Sequence, residues 1–261
     1  MSIDLSKPNK MDDFLSFYKH LSGKFLNTQE LQKCAKKLMG EHRIVKGDLY
    51  YQIAEIEFYY YSPQHPDIIT YPRNCFEGLW FFHSSGVHIT TTSNNEEYGG
   101  VLIRSIIRND GTVICGPQNC VDELFNYIDI YGKDYSTIPK IDSYKWSDTE
   151  IELGISQRYI PFYVRKSEIE SLSATDKNEI EIFKLLIKKK AEKKYWSIRN
   201  KAMNDISTTI SDFLNYLVAP YRFYIKNMKH TYKSIPNPFA NDDYKYLFKA
   251  ENKRAMGESI I

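Results

Sequence analysis

Residues 49–61 read Leu-Tyr-Tyr-Gln-Ile-Ala-Glu-Ile-Glu-Phe-Tyr-Tyr-Tyr. Aromatic and β-branched side chains dominate this stretch, which predicts a strand. Ser62-Pro63-Gln64-His65-Pro66 breaks it. Shorter apolar runs at Gly78–Phe82 and Val87–Thr92 follow, and Gly99-Gly100 leads into a strong strand over Val101–Ile107. Asn109-Asp110-Gly111 is a hairpin-type turn, with Val113-Ile114-Cys115 returning from it. Tyr144–Leu153, Arg158–Val164 and Tyr221–Ile225 complete the expected strands.

Helices are expected around these strands. Met11–Leu21 and Thr28–Met39 carry apolar residues at spacings of three and four. Asn27 or Thr28 would cap the second of these and Gly40 would end it. Gly116-Pro117 opens another helix, with its apolar face over Cys120–Ile128. A long basic helix is expected over Glu179–Arg199, then a helix over Ser207–Leu217 that Pro220 ends. The tail after Ile235 is polar and reads as irregular.

Strands and helices mix without a regular strand-helix-strand alternation. The expectation is an α+β fold, a curved and mostly antiparallel sheet flanked by helices. No linker, internal repeat or low-complexity tract divides the chain, so residues 1–261 are expected to form a single domain with a basic helical segment at about 165–218.

Composition narrows the classes. Hydrophobic residues at 42% and charged residues at 26% suit a globular, soluble chain. No apolar run approaches the roughly 20 residues that span a bilayer, so no membrane partner is expected. Met1–Met11 is polar and lacks the pattern of a secretory signal. Cys34, Cys75, Cys115 and Cys120 form no Cys-x-x-Cys pair, which favours reduced thiols in the cytoplasm, or in the nucleus of a eukaryote.

Net charge is only +2, but it is unevenly placed. Lys184, Lys188, Lys189, Lys190, Lys193, Lys194, Arg199 and Lys201 face one acid in that segment, Glu192. Arg222, Lys226, Lys229, His230 and Lys233 form a second basic group. Each group suits a solvated helix face, and each also suits a phosphate backbone. The 21 Tyr residues are mostly expected in the core, although tyrosines also stack on bases.

Glu55 and Glu57 are two apart and so share a strand face with Tyr59. A carboxylate beside aromatics is costly to bury unless it is paired or functional. On spacing alone, a wet strand face is the simpler reading of both acids.

A series of motifs shifts that balance. Ala54-Glu55-Ile56-Glu57-Phe58-Tyr59 is similar to the Val-Glu-Thr-Glu-Ala-Tyr motif of alkyladenine (3-methyladenine) DNA glycosylases. His65 and then Thr70-Tyr71-Pro72-Arg73-Asn74 resemble that family's His and Thr-Pro-Arg-Asn segment, with one residue inserted. Gly78-Leu79-Trp80-Phe81-Phe82-His83 occupies the place of its Gly and aromatic strand, and Val101-Leu102-Ile103-Arg104-Ser105 that of its Leu-Leu-Arg-Ala strand. Gly116-Pro117 and Pro220-Tyr221-Arg222-Phe223-Tyr224-Ile225 resemble its helix-opening turn and final strand. Leu38-Met39-Gly40 resembles its Leu-Leu-Gly. No single motif is specific; their shared order over about residues 31–226 carries the resemblance.

The resemblance implies a monofunctional glycosylase that flips a damaged or modified base from double-stranded DNA and hydrolyses its N-glycosidic bond. Glu57 would activate the water and Arg104 would hold it. Tyr59 and His65 would contact the extruded base from opposite sides, and Thr92 falls near a family Asn close to water and base. Ser85-Gly86-Val87-His88 replaces the family's Tyr-Gly-x-Tyr wedge, leaving His88 to enter the groove. Arg73, Lys188, Lys189, Lys193 and Lys194 would contact DNA. No metal or other cofactor is required.

Other chemistries find less support. His83, His88 and Cys75 do not converge at metal-ligand spacing, Gly99-Gly100 lacks the rest of a phosphate loop, and Ser84-Ser85-Gly86 lacks a hydrolase elbow. A non-catalytic nucleic-acid or partner-binding protein of similar fold, and an N-glycoside hydrolase of free nucleosides, are the alternatives.

Overall fold

The computed structural model describes residues 27–67, 70, 73, 75–83, 86–93, 96–128, 134–147, 150–156, 158 and 219–226. All but Ala219 belong to one compact unit, Met1–Arg158 with Pro220–Ile235. Ala219 falls in a second unit, Tyr159–Ala219 with Pro236–Ile261. The helices expected at Met11–Leu21, Glu179–Arg199 and Ser207–Leu217 lie outside the described residues, as does the tail.

The fold is α+β. Helix α1 (Thr28–Glu41) is closed at its start by a reciprocal box in which Asn27 accepts from the Glu30 amide and Glu30 reaches back to the Asn27 amide. Gly40 does not end it; the helix continues through Glu41 before His42 turns extended. The strands are β1 (His42–Lys46), β2 (Leu49–Ser62), β3 (His65–Pro66), β4 (Trp80–His83), β5 (Gly86–Ser93), β6 (Tyr98–Arg108), β7 (Val113–Cys115), β8 (Lys140–Ser143), β9 (Leu153–Ser156) and β10 (Arg222–Ile225). Helix α2 (Pro117–Phe125) starts at Pro117, behind Gly116 at φ 100°. The strand expected over Tyr144–Leu153 is not formed: the described residues between β8 and β9 are irregular, although Trp146 donates its indole N–H to the His42 carbonyl.

Among the described residues ten strands make one antiparallel sheet, ordered β4-β5-β6-β2-β1-β8, with β9 and β10 joined beside β2. Strand β2 is the axis of this arrangement. One edge pairs with β6 along most of its length. The other edge is shared, with β1 along Leu49–Gln52 and β10 along Glu55–Glu57. The sheet curls strongly. Trp80, on one outer strand, donates its indole N–H over 2.8 Å to the carbonyl of Pro139, just before the opposite outer strand.

Alternation along β2 puts Ile56, Phe58 and Tyr60 on one face and Glu55, Glu57 and Tyr59 on the other. Unlike a sheet with one wet face, both sets are buried. Phe58 meets Phe223 of β10 edge-to-face, with centroids 5.7 Å apart. Helix α2 is tied to the sheet through Glu123, which accepts from Tyr51 and Arg108, and through Lys46, which donates to the Glu123 carbonyl and to Asn126. Gly99 and Gly100 let the strands approach closely: a Cβ would lie 2.8 Å from the Tyr59 carbonyl oxygen at Gly99 and 2.9 Å from that of Ile89 at Gly100.

No helix among the described residues is long and apolar enough to cross a membrane.

Candidate active site

The acidic face of β2 is not wet. Glu57 has no exposed surface and Glu55 only 2%, which overturns the simpler reading that spacing gives them. Two strands cover them. Glu57 pairs with Leu102 of β6 and with Arg222 of β10. Two residues on from Leu102, Arg104 projects to the same side. The β2–β6 register breaks locally at Glu55, which pairs with Ser105, and resumes at Ile56–Ile103. Such irregularities re-aim side chains.

The resulting buried network has two carboxylates and two guanidiniums. Arg104 Nη1 lies 3.1 Å from Glu57 Oε1, and Arg104 Nε donates over 3.3 Å to Glu55 Oε1. Arg222 Nε donates to the same Glu55 oxygen and lies 3.9 Å from Glu57 Oε1. Ser105 Oγ donates over 2.8 Å to Glu55 Oε2, and Tyr59 Oη over 2.9 Å to Glu57 Oε2. Burial opposes the charge of Arg104, but the Glu57 and Glu55 carboxylates outweigh it and raise its pKa. Burial, then the Glu57 charge, push the Tyr59 phenol well above its ordinary value, so Tyr59 stays protonated and donates. Replacing a buried ion network with apolar side chains is often neutral or stabilising, so such a network is weak evidence of a stabilising role.

A second charged pair adjoins the first. Arg158 donates to Asp67 through both Nη atoms, at 2.6 and 3.3 Å, and to the Phe58 carbonyl. Its Cζ lies 4.9 Å from the centroid of Tyr59 and 5.2 Å from that of Tyr221. Thr70 Oγ1 also donates to Asp67. His65, fully buried, stacks on Tyr221 with centroids 5.8 Å apart and tilts against Tyr60. Burial lowers its pKa to about 4, with Arg158 adding to the effect and Asp67 opposing it. His65 is therefore neutral at pH 7.

The structure brings together Glu57 and Arg104, the residues expected to do the chemistry, with Tyr59, which was expected to stack on the base. It also corrects several expectations. Tyr59 does not present an open ring to a base: Arg158 lies over it, and His88 lies 5.4 Å from it, centroid to centroid. His88 is not a surface wedge, because it is buried between Tyr59 and Phe81. Arg73 is not a surface phosphate contact either. It is buried, with its guanidinium 4.5 Å from the Phe81 centroid and against Gly100. Arg222, read with the second basic group, is buried against Glu55. Thr92 is in β5, paired with Gly99, and its side chain is outside the described residues. Lys188, Lys189, Lys193 and Lys194 lie outside them too.

Sequence reasoning missed the roles of Glu55, Arg222, Asp67 and Arg158. For Glu55 the signal was its shared strand face with Glu57. For Arg222 it was a lone cation inside an aromatic strand.

Among the described residues no group of three His, Cys, Asp or Glu side chains is placed to hold a metal ion. All four cysteines are free thiols. Burial pushes Cys34 up to about 12 and Cys120 higher still, so neither is a nucleophile at neutral pH. No protein-family model, curated protein or solved structure matches this chain.

Proposed function

We propose that the protein is a monofunctional DNA glycosylase in which Glu57 activates water against the C1′ atom of a flipped nucleotide. The observation that carries this reading is the pairing of a fully buried Glu57 with Arg104 at 3.1 Å. A buried carboxylate held by an arginine suits a base whose orientation matters. The order of motifs resembling alkyladenine DNA glycosylases supports the same roles.

In this reading the Tyr59 hydroxyl marks the position of the nucleophile. As Tyr59 turns toward the extruded base, a water takes its place at Glu57 Oε2. Glu57 accepts a proton from that water while its oxygen bonds to C1′. The C1′–N bond breaks and its electrons leave with the base. Until it takes that proton, the Glu57 carboxylate also favours the positive charge developing on the sugar. Arg104 fixes the carboxylate throughout. No attacking lysine takes part, so no strand cleavage follows. Lys188, Lys189, Lys193 and Lys194 would supply phosphate contacts, giving an affinity that falls with salt. Activity of this kind belongs where DNA and reduced thiols coexist, in cytoplasm or nucleus.

Glu57→Gln tests the assignment. Base release from modified duplex DNA should cease while DNA binding persists; a variant that releases base as fast as its parent removes Glu57 from the chemistry.

A second reading has an observation in its favour. The covered ring of Tyr59 and the burial of His88 suit a non-catalytic binding protein that keeps a glycosylase-like core. Mass spectrometry of bases released from a panel of modified duplexes separates the two, since only the enzyme reading expects a free base.

A further inference from the structure

We propose that Glu55 is a positioning residue for the same site: it holds Arg104 and Arg222 beside Glu57 and balances their charge. The inference rests on the glycosylase reading for its kinetic consequence, but not for its structural one.

Glu55 and Glu57 share a strand face yet have different partners. Glu57 touches Arg104 through Nη1 and Tyr59 through its second oxygen. Glu55 takes Nε of Arg104, Nε of Arg222 and the Ser105 hydroxyl. Three donors from two strands thus converge on Glu55, and its only link to the proposed chemistry runs through the arginines. A guanidinium is a rigid planar fork. Gripping Arg104 at Nε therefore sets where Nη1 falls, which is against Glu57.

Charge gives Glu55 a second effect. Among the described residues, those facing Glu57 include Arg104 from β6, Arg222 from β10, and Tyr59 and Glu55 from β2 itself. From α2 the neighbouring titratable group is Cys120, whose buried thiol stays protonated. Two cations against two carboxylates leave this set neutral. Without the Glu55 charge, Glu57 would face an excess positive charge in a buried setting.

Glu55→Gln keeps the shape and removes the charge. The variant should lower kcat about 10²-fold, as expected for displaced catalytic geometry, with little change in KM. Glu55→Asp keeps the charge on a shorter arm; it should also lower kcat, and it serves if Glu55→Gln does not fold. Parent-like kcat in Glu55→Gln would overturn the proposal.

Side-chain 15N NMR reads the tether without catalysis. The Nε–H signals of Arg104 and Arg222 should shift in Glu55→Gln and exchange faster with water. If both signals stay as in the parent, Glu55 positions nothing. A parent protein that releases no base defeats the glycosylase reading alone, and the NMR result still decides the tether.

Discussion

The guanidinium of Arg158 lies over the ring of Tyr59, 4.9 Å from its centroid, while gripping Asp67 through both Nη atoms. Arg158 and Asp67 are both buried. Removing one partner leaves an uncompensated charge, which costs about 3–5 kcal/mol. Arg158→Met should therefore lower the urea-unfolding free energy by about that amount. Asp67→Leu combined with Arg158→Met should recover most of the loss. A double variant no more stable than either single one would mean that the pair is not the energetic unit.

Tyr59→Phe keeps the ring under Arg158 and deletes only the donor to Glu57 Oε2. A buried acceptor left without its donor costs about 1–3 kcal/mol. That loss should appear in chemical denaturation at neutral pH.

Arg104→Lys retains a positive charge but loses the fork that reaches Glu55 through Nε and Glu57 through Nη1. If Glu57 acts on water, kcat should fall on the order of 10²-fold, the scale for losing one oriented donor. Equal single-turnover rates for Arg104→Lys and its parent would show that charge without geometry suffices.

His65 makes stability depend on pH. Its pKa is about 4 when folded, against 6.5 for the free side chain. The unfolded chain therefore binds the proton more readily. Its contribution is fully present above about pH 6.5 and is lost as pH falls toward about 4, amounting to roughly 3 kcal/mol. Unfolding free energies at pH 7 and pH 4.5 should diverge less in His65→Phe than in the parent. An unchanged difference would assign the acid sensitivity elsewhere.

Gly100→Ala would drive a Cβ into the Arg73 guanidinium and to 2.9 Å from the Ile89 carbonyl oxygen. The backbone oxygen cannot swing aside as a flexible side chain can. Overpacking of this kind costs about 1–3 kcal/mol, readable as a lowered melting temperature.

Much of the sheet could be read in the chain itself. The aromatic and β-branched run at residues 49–61 became β2, Asn109-Asp110-Gly111 became the turn before β7, and Gly116-Pro117 opened α2. These features are local. Those that failed depended on distant partners. Gly40 stays helical because α1 runs on into β1, and Trp146, after β8, donates to the β1 carbonyl of His42 instead of belonging to a strand. The same division holds at the site. Glu57 and Tyr59 share a face by simple alternation. Their burial depends on Arg104, Arg222 and Arg158, which arrive from three other segments. Residue-by-residue reading placed His88 and Arg73 at the surface, but curling of the sheet folds both inward over Phe81.

Strand β10 is made long after the strand it completes: 167 positions separate Arg222 from the carboxylate it meets. Until the ribosome has released that segment, the edge of β2 at Glu55–Glu57 lacks its neighbour and the two acids share Arg104 without Arg222. A nascent chain ending before Pro220 would carry an open seam in its sheet, prone to pairing with other molecules. The sheet thus becomes self-contained only once Arg222–Ile225 has been made, and a truncation that removes these four residues of strand should act as a lesion at its centre.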